Sequence, residues 1–448
     1  MPRDEASASP GPPPLQSEAA PGASAGLDQE SRRAWHRALS VTFRALRHRN
    51  YRLYFFGQLV SLMGTWVQTT ALGWLAYQQT GESKWPALIQ VAQILPTFLL
   101  GAWGGMLADR LPKRTLIFGT QTAYMLLAFL LAGLDFAGVL TVWQMLAVTA
   151  ASGVVQALDL PARLAFVMDM AGREDLPNAV ALNSVIFNMA SALGPAVGGQ
   201  LLNLLHPQWC FLINALSYLA VLWALAQMDI SGTAKLGKEA GGLRTVLDGL
   251  NFILGRRNIL LLVLLMAATS FCGWSIRALL PALAAQLGSD NSGYGWMMGG
   301  IGLGALAAAW TVATFGSVEN RRRSIRAGIG VVSAGLILLS ISNNLPFAIA
   351  SAAFTGFGLI LFLATTQSIV QLSAGDHNRG RVMAIYAMVQ SAAIPFGTIL
   401  SGWAADHWGV SRVLMVLGIS CFAAAVALIV GFRLTRTPEP RPKPTPAR

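Results

Sequence analysis

The chain has 448 residues, of which 54% are hydrophobic and 12% charged, with a formal net charge of +12. That is too apolar for a soluble globule and fits a chain whose solvent is lipid, so a polytopic membrane protein is expected. The surplus of cations would suit a nucleic-acid binder, but it falls in short clusters between apolar runs, which excludes nucleic acid as the partner and points to the bilayer.

In chain order, residues 1–40 hold no apolar run, so no cleavable signal is expected and the first span must act as its own insertion signal. Residues 1–30, rich in Pro, Ala, Ser and Gly, are expected to be disordered. A hydrocarbon core about 30 Å thick needs about 20 helical residues. Runs of that length lie near 51–78, 85–107, 115–134, 139–160, 179–204 and 209–228, and again near 258–284, 294–315, 325–342, 345–372, 382–405 and 411–432. The expectation is an all-α membrane protein of about twelve spans in two sets of six. Its parts would be a cytoplasmic tail (1–40), a six-helix bundle (41–228), a linker (229–257), a second bundle (258–434) and a Pro-rich tail (435–448). In the linker, Leu243, Val246, Leu247, Leu250 and Leu254 recur at helical spacing, as in an amphipathic helix lying at the inner surface between the halves.

With both termini placed in the cytoplasm, 29 of the 32 Lys and Arg residues fall inside, leaving Lys84 and Arg412 in outer loops and Arg277 within a span. That asymmetry sets the orientation. The halves are weakly similar at an offset of roughly 200 residues, with Pro195 answering to Pro395 and Asp109-Arg110 to Glu319-Asn320-Arg321.

Several spans carry polar groups. Gln58, Ser61, Thr65 and Gln68 lie in the first, Asn183 and Asn188 in the fifth, and Thr365, Thr366 and Gln367 in the tenth, with Met63, Trp66 and Trp274 nearby. Scattered amides beside aromatic and thioether groups suit the cavity of a greasy, partly polar compound, or equally the contacts between packed helices. Arg277 in the seventh span either snorkels to the outer surface or faces a cavity and attracts an anionic group. Pro195 leaves the carbonyl of Ser191 without its helical donor, and Gly194, Gly198 and Gly199 allow a neighbouring helix to come close. Pro395 and Gly397 form a similar pair in the eleventh span.

Four stretches resemble a known family. Gly105 to Arg114, "GMLADRLPKR", resembles the loop signature G-x-L-A-D-R-x-G-R-K/R of the major facilitator superfamily, with Pro112 where a Gly is usual. Gly194-Pro195-x-x-Gly198-Gly199 resembles the end of the exporter motif G-x8-G-x3-G-P-x2-G-G, with Ala181 and Ala190 at the upstream glycine positions. "QALDLPARLAFVMDMAGREDLPNAVALNSVIFN" (Gln156 to Asn188) and "NRGRVMAIYAMVQSAAIPFG" (Asn378 to Gly397) resemble the branch of the enterobactin exporter and the transmembrane secretion effectors.

The resemblance implies a multi-pass protein of the plasma membrane, the inner membrane of a bacterium. It implies export of a small amphiphilic compound such as a siderophore, drug or toxin by alternating access, driven by a proton gradient. In the family the acid of the loop signature meets charged groups at neighbouring helix ends and the start of the eleventh helix. The matching inner gate here would be Asp109 with Arg110, Lys113, Arg114, Asp159, Arg163 and Arg381, although Asp159 and Arg163, four apart, could simply pair along one helix. An importer of the same fold, or a scaffold or sensor without transport, remains the alternative.

Asp109, Asp135, Asp159 and Asp406 all fall at the ends of the proposed spans, so a coupling acid within the membrane is not identified. No Walker-type loop occurs, which argues against ATP hydrolysis. Cys210, Cys272, Cys421 and the five His show no ligand spacing, so neither a metal nor a cofactor is expected, nor is an intramembrane enzyme.

Overall fold

The computed structural model describes residues 44–228, 243–315 and 321–434. The two tails, the Gly-rich part of the linker and Glu319-Asn320 lie outside the described residues, together with the expectations attached to them. Helices run over Arg49–Thr80, Lys84–Arg110, Lys113–Phe136, Val142–Gly172, Glu174–Leu204 and Pro207–Ala226 in the first half. The second half has Arg257–Gln286, Asn291–Phe315, Arg321–Ser340, Leu345–Gly375, Asn378–Trp408 and Val410–Leu434. These are referred to as the first to twelfth spans.

By length and apolarity 10 of the described helices can cross a membrane, and 11 if the bent second helix counts as one span. The first helix, with 32 residues, is long enough to cross but lowers its own hydropathy with Gln58, Ser61, Thr65, Gln68, Thr69 and Thr70. Its threonines return their hydroxyls to carbonyls one turn back: Thr65 to Ser61, Thr69 to Thr65 and Thr70 to Trp66, at 2.8 to 2.9 Å. That spares them the cost of unpaired hydroxyls in lipid.

The fourth span differs from the sequence expectation in a way that changes the chemistry. It does not end near residue 160 but continues to Gly172, and the fifth begins at Glu174, earlier than 179. A Thr141–Gln144 capping box starts the fourth span, and Gly172, at φ 71°, ends it in a conformation that favours glycine. The tenth span ends in the same way at Gly375, φ 68°. The fifth span then runs parallel to the first: Tyr51 donates to the Ala179 carbonyl at 2.8 Å, and Gly198 packs against Val67.

The two breaks set the internal repeat at 203 positions. In that register Gly194 and Gly199 answer to Gly397 and Gly402, whereas Pro195 answers to Thr398 and Pro395 lies one turn earlier. The pairing of the two prolines therefore does not hold, but that of the glycines does.

The halves touch on the face opposite the basic Lys113–Arg114 end. Ser83 N–H and Lys84 N–H both donate to the Asp406 carboxylate, the latter at 3.1 Å, so an acid of the eleventh span caps the start of the second. Asn291 Nδ2 donates to the Leu202 carbonyl at 2.8 Å. Gly402 lies against Ala87, and Gly199 against Gly295, where an added Cβ would stand 2.7 Å from the partner's Cα. At the basic end an open gap lies between Ile94–Gly101, Gln156–Leu164 and Ala384–Ser391, so the molecule is sealed on one face and open at the other. Asp406→Ala is expected to remove the cap and lower stability by about 1 kcal/mol, read as a lower melting temperature in detergent. The nearby Gly409 stands at φ 84° and ψ 148°, a region open essentially to glycine, so Gly409→Asn is expected to cost about 1–3 kcal/mol, at least as much as loss of the cap.

The linker helix, Leu243–Leu254, packs on the second half, with Gly249 seated against Arg381 and Ile385 of the eleventh span.

Candidate functional site

A cavity of about 430 Å³ lies between the halves, walled mainly by the first, second and fourth spans and closed by residues of the seventh, eighth and eleventh. Of the amides and hydroxyls expected there, Gln58, Ser61, Thr65 and Asn183 line it. Gln68 does not: its Oε1 accepts from Asn214 Nδ2 at 2.7 Å, which ties the first span to the sixth. Asn188 and Gln367 are also outside the lining, Gln367 being exposed on the tenth span.

The longer fourth span places Asp159 and Arg163 well within a helix rather than at its end. Asp159 is fully buried, and Arg163 Nε stands 2.7 Å from its Oδ2. Its Oδ1 accepts from Thr120 Oγ1 at 2.7 Å and from Gln121 Nε2 at 3.0 Å. Both residues line the cavity beside Tyr54, Tyr124 and Tyr218. Pro161 between them removes the donor to the Ala157 carbonyl, and Gly104 of the second span fits directly beneath that carbonyl. The pair is thus held by neutral donors from the third span and by a proline-loosened helix. Thr120, Gln121, Tyr124 and Tyr218 carry no sequence signal that would turn the third and sixth spans inward; Tyr54 of the first span joins them.

Arg277 also faces the cavity rather than snorkelling to the surface. It follows a break at Ser275 between helices ending at Trp274 and starting at Ile276. Its guanidinium carbon lies 4.6 Å from the ring centre of Trp274 and 5.0 Å from that of Trp66. Phe187 meets Trp66 edge-on at 6.1 Å and extends the aromatic wall.

The other expected gate residues are not brought to Asp159 and Arg163. Lys113 pairs with Asp169 at 2.8 Å. Arg114 donates to the carbonyls of Leu225 and Ala226 at 2.9 and 3.1 Å, satisfying the last turn of the sixth span. Asp109 and Arg110 are exposed, and among the described residues Asp109 forms no ion pair. Arg381 lies under the linker helix.

The kink residues assemble on the sealed face. Gly194 sits against Trp66 of the first span, and Gly199 against Gly295 of the eighth. The Ser191 carbonyl that Pro195 leaves without a donor faces Gly302, where any side chain would collide with it. Pro395 is buried, and Gly397 packs on the Phe271 carbonyl of the seventh span.

Residues 40–444 match the family model described as transmembrane secretion effector. Over 379 residues the chain is 24% identical to the staphyloferrin A transporter of Staphylococcus aureus (strain NCTC 8325 / PS 47), covering 82% of this chain and 93% of that one. It is 22% identical to the multidrug efflux pump Tap of Mycolicibacterium fortuitum, with 84% and 94% covered. It is 23% identical to macrolide efflux protein A of Streptococcus pyogenes, with 86% and 97% covered. Among solved structures, the nucleoside transporter NupG superposes with a TM-score of 0.68 at 13% identity, covering 86% of this chain and 99% of that one. A POT family transporter in complex with 5-aminolevulinic acid gives 0.69 at 11% identity, with 87% and 97% covered. At such identities these two speak for the fold.

Proposed function

Because the chain belongs to the transmembrane secretion effector family of the major facilitator superfamily, we propose that it is a proton-driven exporter of a small amphiphilic compound. The observation that carries this reading is a cavity sealed on one face, open at the basic face, and walled by both greasy rings and a buried charge pair. With the basic loops toward the cytoplasm of a bacterial plasma membrane, the compound loads from inside and leaves when the halves rock. The relatives named as efflux pumps support this direction, and together with the staphyloferrin A transporter they support a small-molecule cargo.

Asp159 is the group through which a proton would act. Its carboxylate holds Arg163 at 2.7 Å, and loss of that pairing would free the cation into the cavity and change which state of the wall is favoured. Asp109 and Arg110, exposed in a state open at their own face, fit a latch that engages when that face closes. Lys113, Arg114 and Arg381 hold helix ends around it.

The test is efflux from cells stripped of their own exporters, using a panel of fluorescent amphiphiles and a catecholate siderophore. An uncoupler is expected to stop efflux and Asp109→Asn to slow it at least about tenfold at wild-type abundance. Accumulation instead of efflux would reverse the direction, and efflux unaffected by the uncoupler would remove the proton.

A further inference from the structure

We propose that Arg277, Trp274 and Trp66 form an oxyanion subsite that binds a carboxylate of the transported compound, so that this cavity selects amphiphilic organic anions over lipophilic cations. The proposal rests on the cavity being the transport site.

Three observations lead to it. First, the charge of the wall does not balance. The charged residues lining the cavity are Asp159, Arg163 and Arg277, and the first two neutralise each other at 2.7 Å. Arg277 meets no carboxylate and no hydrogen-bond acceptor among the described residues. The cavity therefore holds one uncompensated cation, in surroundings of low dielectric where an incoming anion gains most.

Second, Arg277 is held in place without being used up. Contacts at 4.6 and 5.0 Å to two indole rings fix a guanidinium through the ring faces and leave its edge, with the N–H donors, free. A planar fork of that kind matches a carboxylate with two parallel hydrogen bonds.

Third, a neutral donor stands beside it with nothing to donate to. The indole N–H of Trp274 is buried and has no acceptor. Buried donors are nearly always satisfied, so an unpaired one next to an unpaired cation fits an acceptor that is met when the indole turns toward a bound ligand. The rings of Trp66 and Phe187 then offer an apolar wall for the body of the molecule. A lipophilic cation would meet the same wall but be repelled by Arg277.

Dansylglycine and its amide, dansylglycinamide, share a body and differ in the carboxylate. Binding of each to the purified full-length protein in lipid nanodiscs is measured by dansyl fluorescence. Wild type is expected to bind dansylglycine about tenfold tighter than the amide, the gain of a bidentate charge-assisted contact. Arg277→Gln should bring the ratio to about one while leaving amide binding intact, which also shows that the variant is folded. Arg277→Lys should keep part of the preference. Trp274→Phe should weaken dansylglycine a few-fold and leave the amide unchanged, and it serves as the deciding variant where Arg277→Gln loses both probes. Equal binding of the two probes by wild type, no binding of dansylglycine, a preference that survives Arg277→Gln, or displacement of dansylglycine by tetraphenylphosphonium at equal affinity would each overturn the subsite. Proteoliposome transport separates this from the exporter reading. Equal movement of both probes would keep the transporter and remove the subsite, and anion-selective binding without movement would keep the subsite and remove transport.

Discussion

Asp159→Asn is expected to abolish proton-driven transport and, separately, to destabilise the fold. Breaking a buried ion pair by removing one partner costs roughly 3–5 kcal/mol, because the remaining charge is left without its counter-charge. Here the cost should fall at the lower end, since the Arg163 side chain is 21% exposed toward the cavity and can be reached by water. The double variant Asp159→Leu/Arg163→Leu removes both charges and should recover most of the stability, yet transport should stay lost. Melting in detergent together with pH-gradient-driven uptake into inverted vesicles distinguishes the two effects. Wild-type transport by Asp159→Asn would show that the pair is a structural element and that the proton acts elsewhere.

Gly295→Val should lower the transport rate at least about fivefold in a protein that still folds. A Cβ at Gly295 would stand 2.6 Å from Gly199 Cα and 2.7 Å from the Pro195 carbonyl, so the fifth and eighth spans would have to part. Forcing methyl groups into such a contact costs about 1–3 kcal/mol. That penalty applies in the state sealed on this face and is relieved when the face opens, which shifts the equilibrium between the two states by about 5- to 150-fold. The matching signature is faster labelling, from the sealed side, of a cysteine introduced by Thr69→Cys on the cavity wall. Gly330→Val, where the added carbon meets nothing within 4 Å, is the control and should transport normally. Unchanged labelling and transport in Gly295→Val would mean that the glycine contact does not seal the path.

Hydropathy has a length scale that matches the bilayer, which is why the number and order of the spans, and their division into two sixes, could be read from the sequence. The family was legible because short loops with fixed charge and glycine patterns are rare by chance. The misplaced end of the fourth span has a clear cause. Asp159, Pro161 and Arg163 look like the edge of a membrane segment when each is weighed singly. Weighed as a pair one turn apart they cancel, and the helix continues to Gly172. A usable signal was present: Ala171-Gly172 and Ala374-Gly375 are each followed by charged residues, 203 positions apart. Between the two readings open for Gln68 the sequence could not choose, because an amide that meets Asn214 and one that faces a cavity look alike there. The unsatisfied indole of Trp274 has no sequence signature at all, since its lack of an acceptor depends on what surrounds it in space.

The reversal at Gly172 is made within a single residue, with helix on both sides. A turn that short leaves little slack between the fourth and fifth spans, so a shift of one is expected to carry the other. Asp159 lies on one arm of that turn and Gly199 on the other. A change in the Asp159–Arg163 pair is therefore expected to reach the Gly199 contact through the backbone, some tens of residues along the chain, without any messenger side chain between them. The second half carries the same one-residue reversal at Gly375, with Gly402 on its far arm, so the same coupling is expected there.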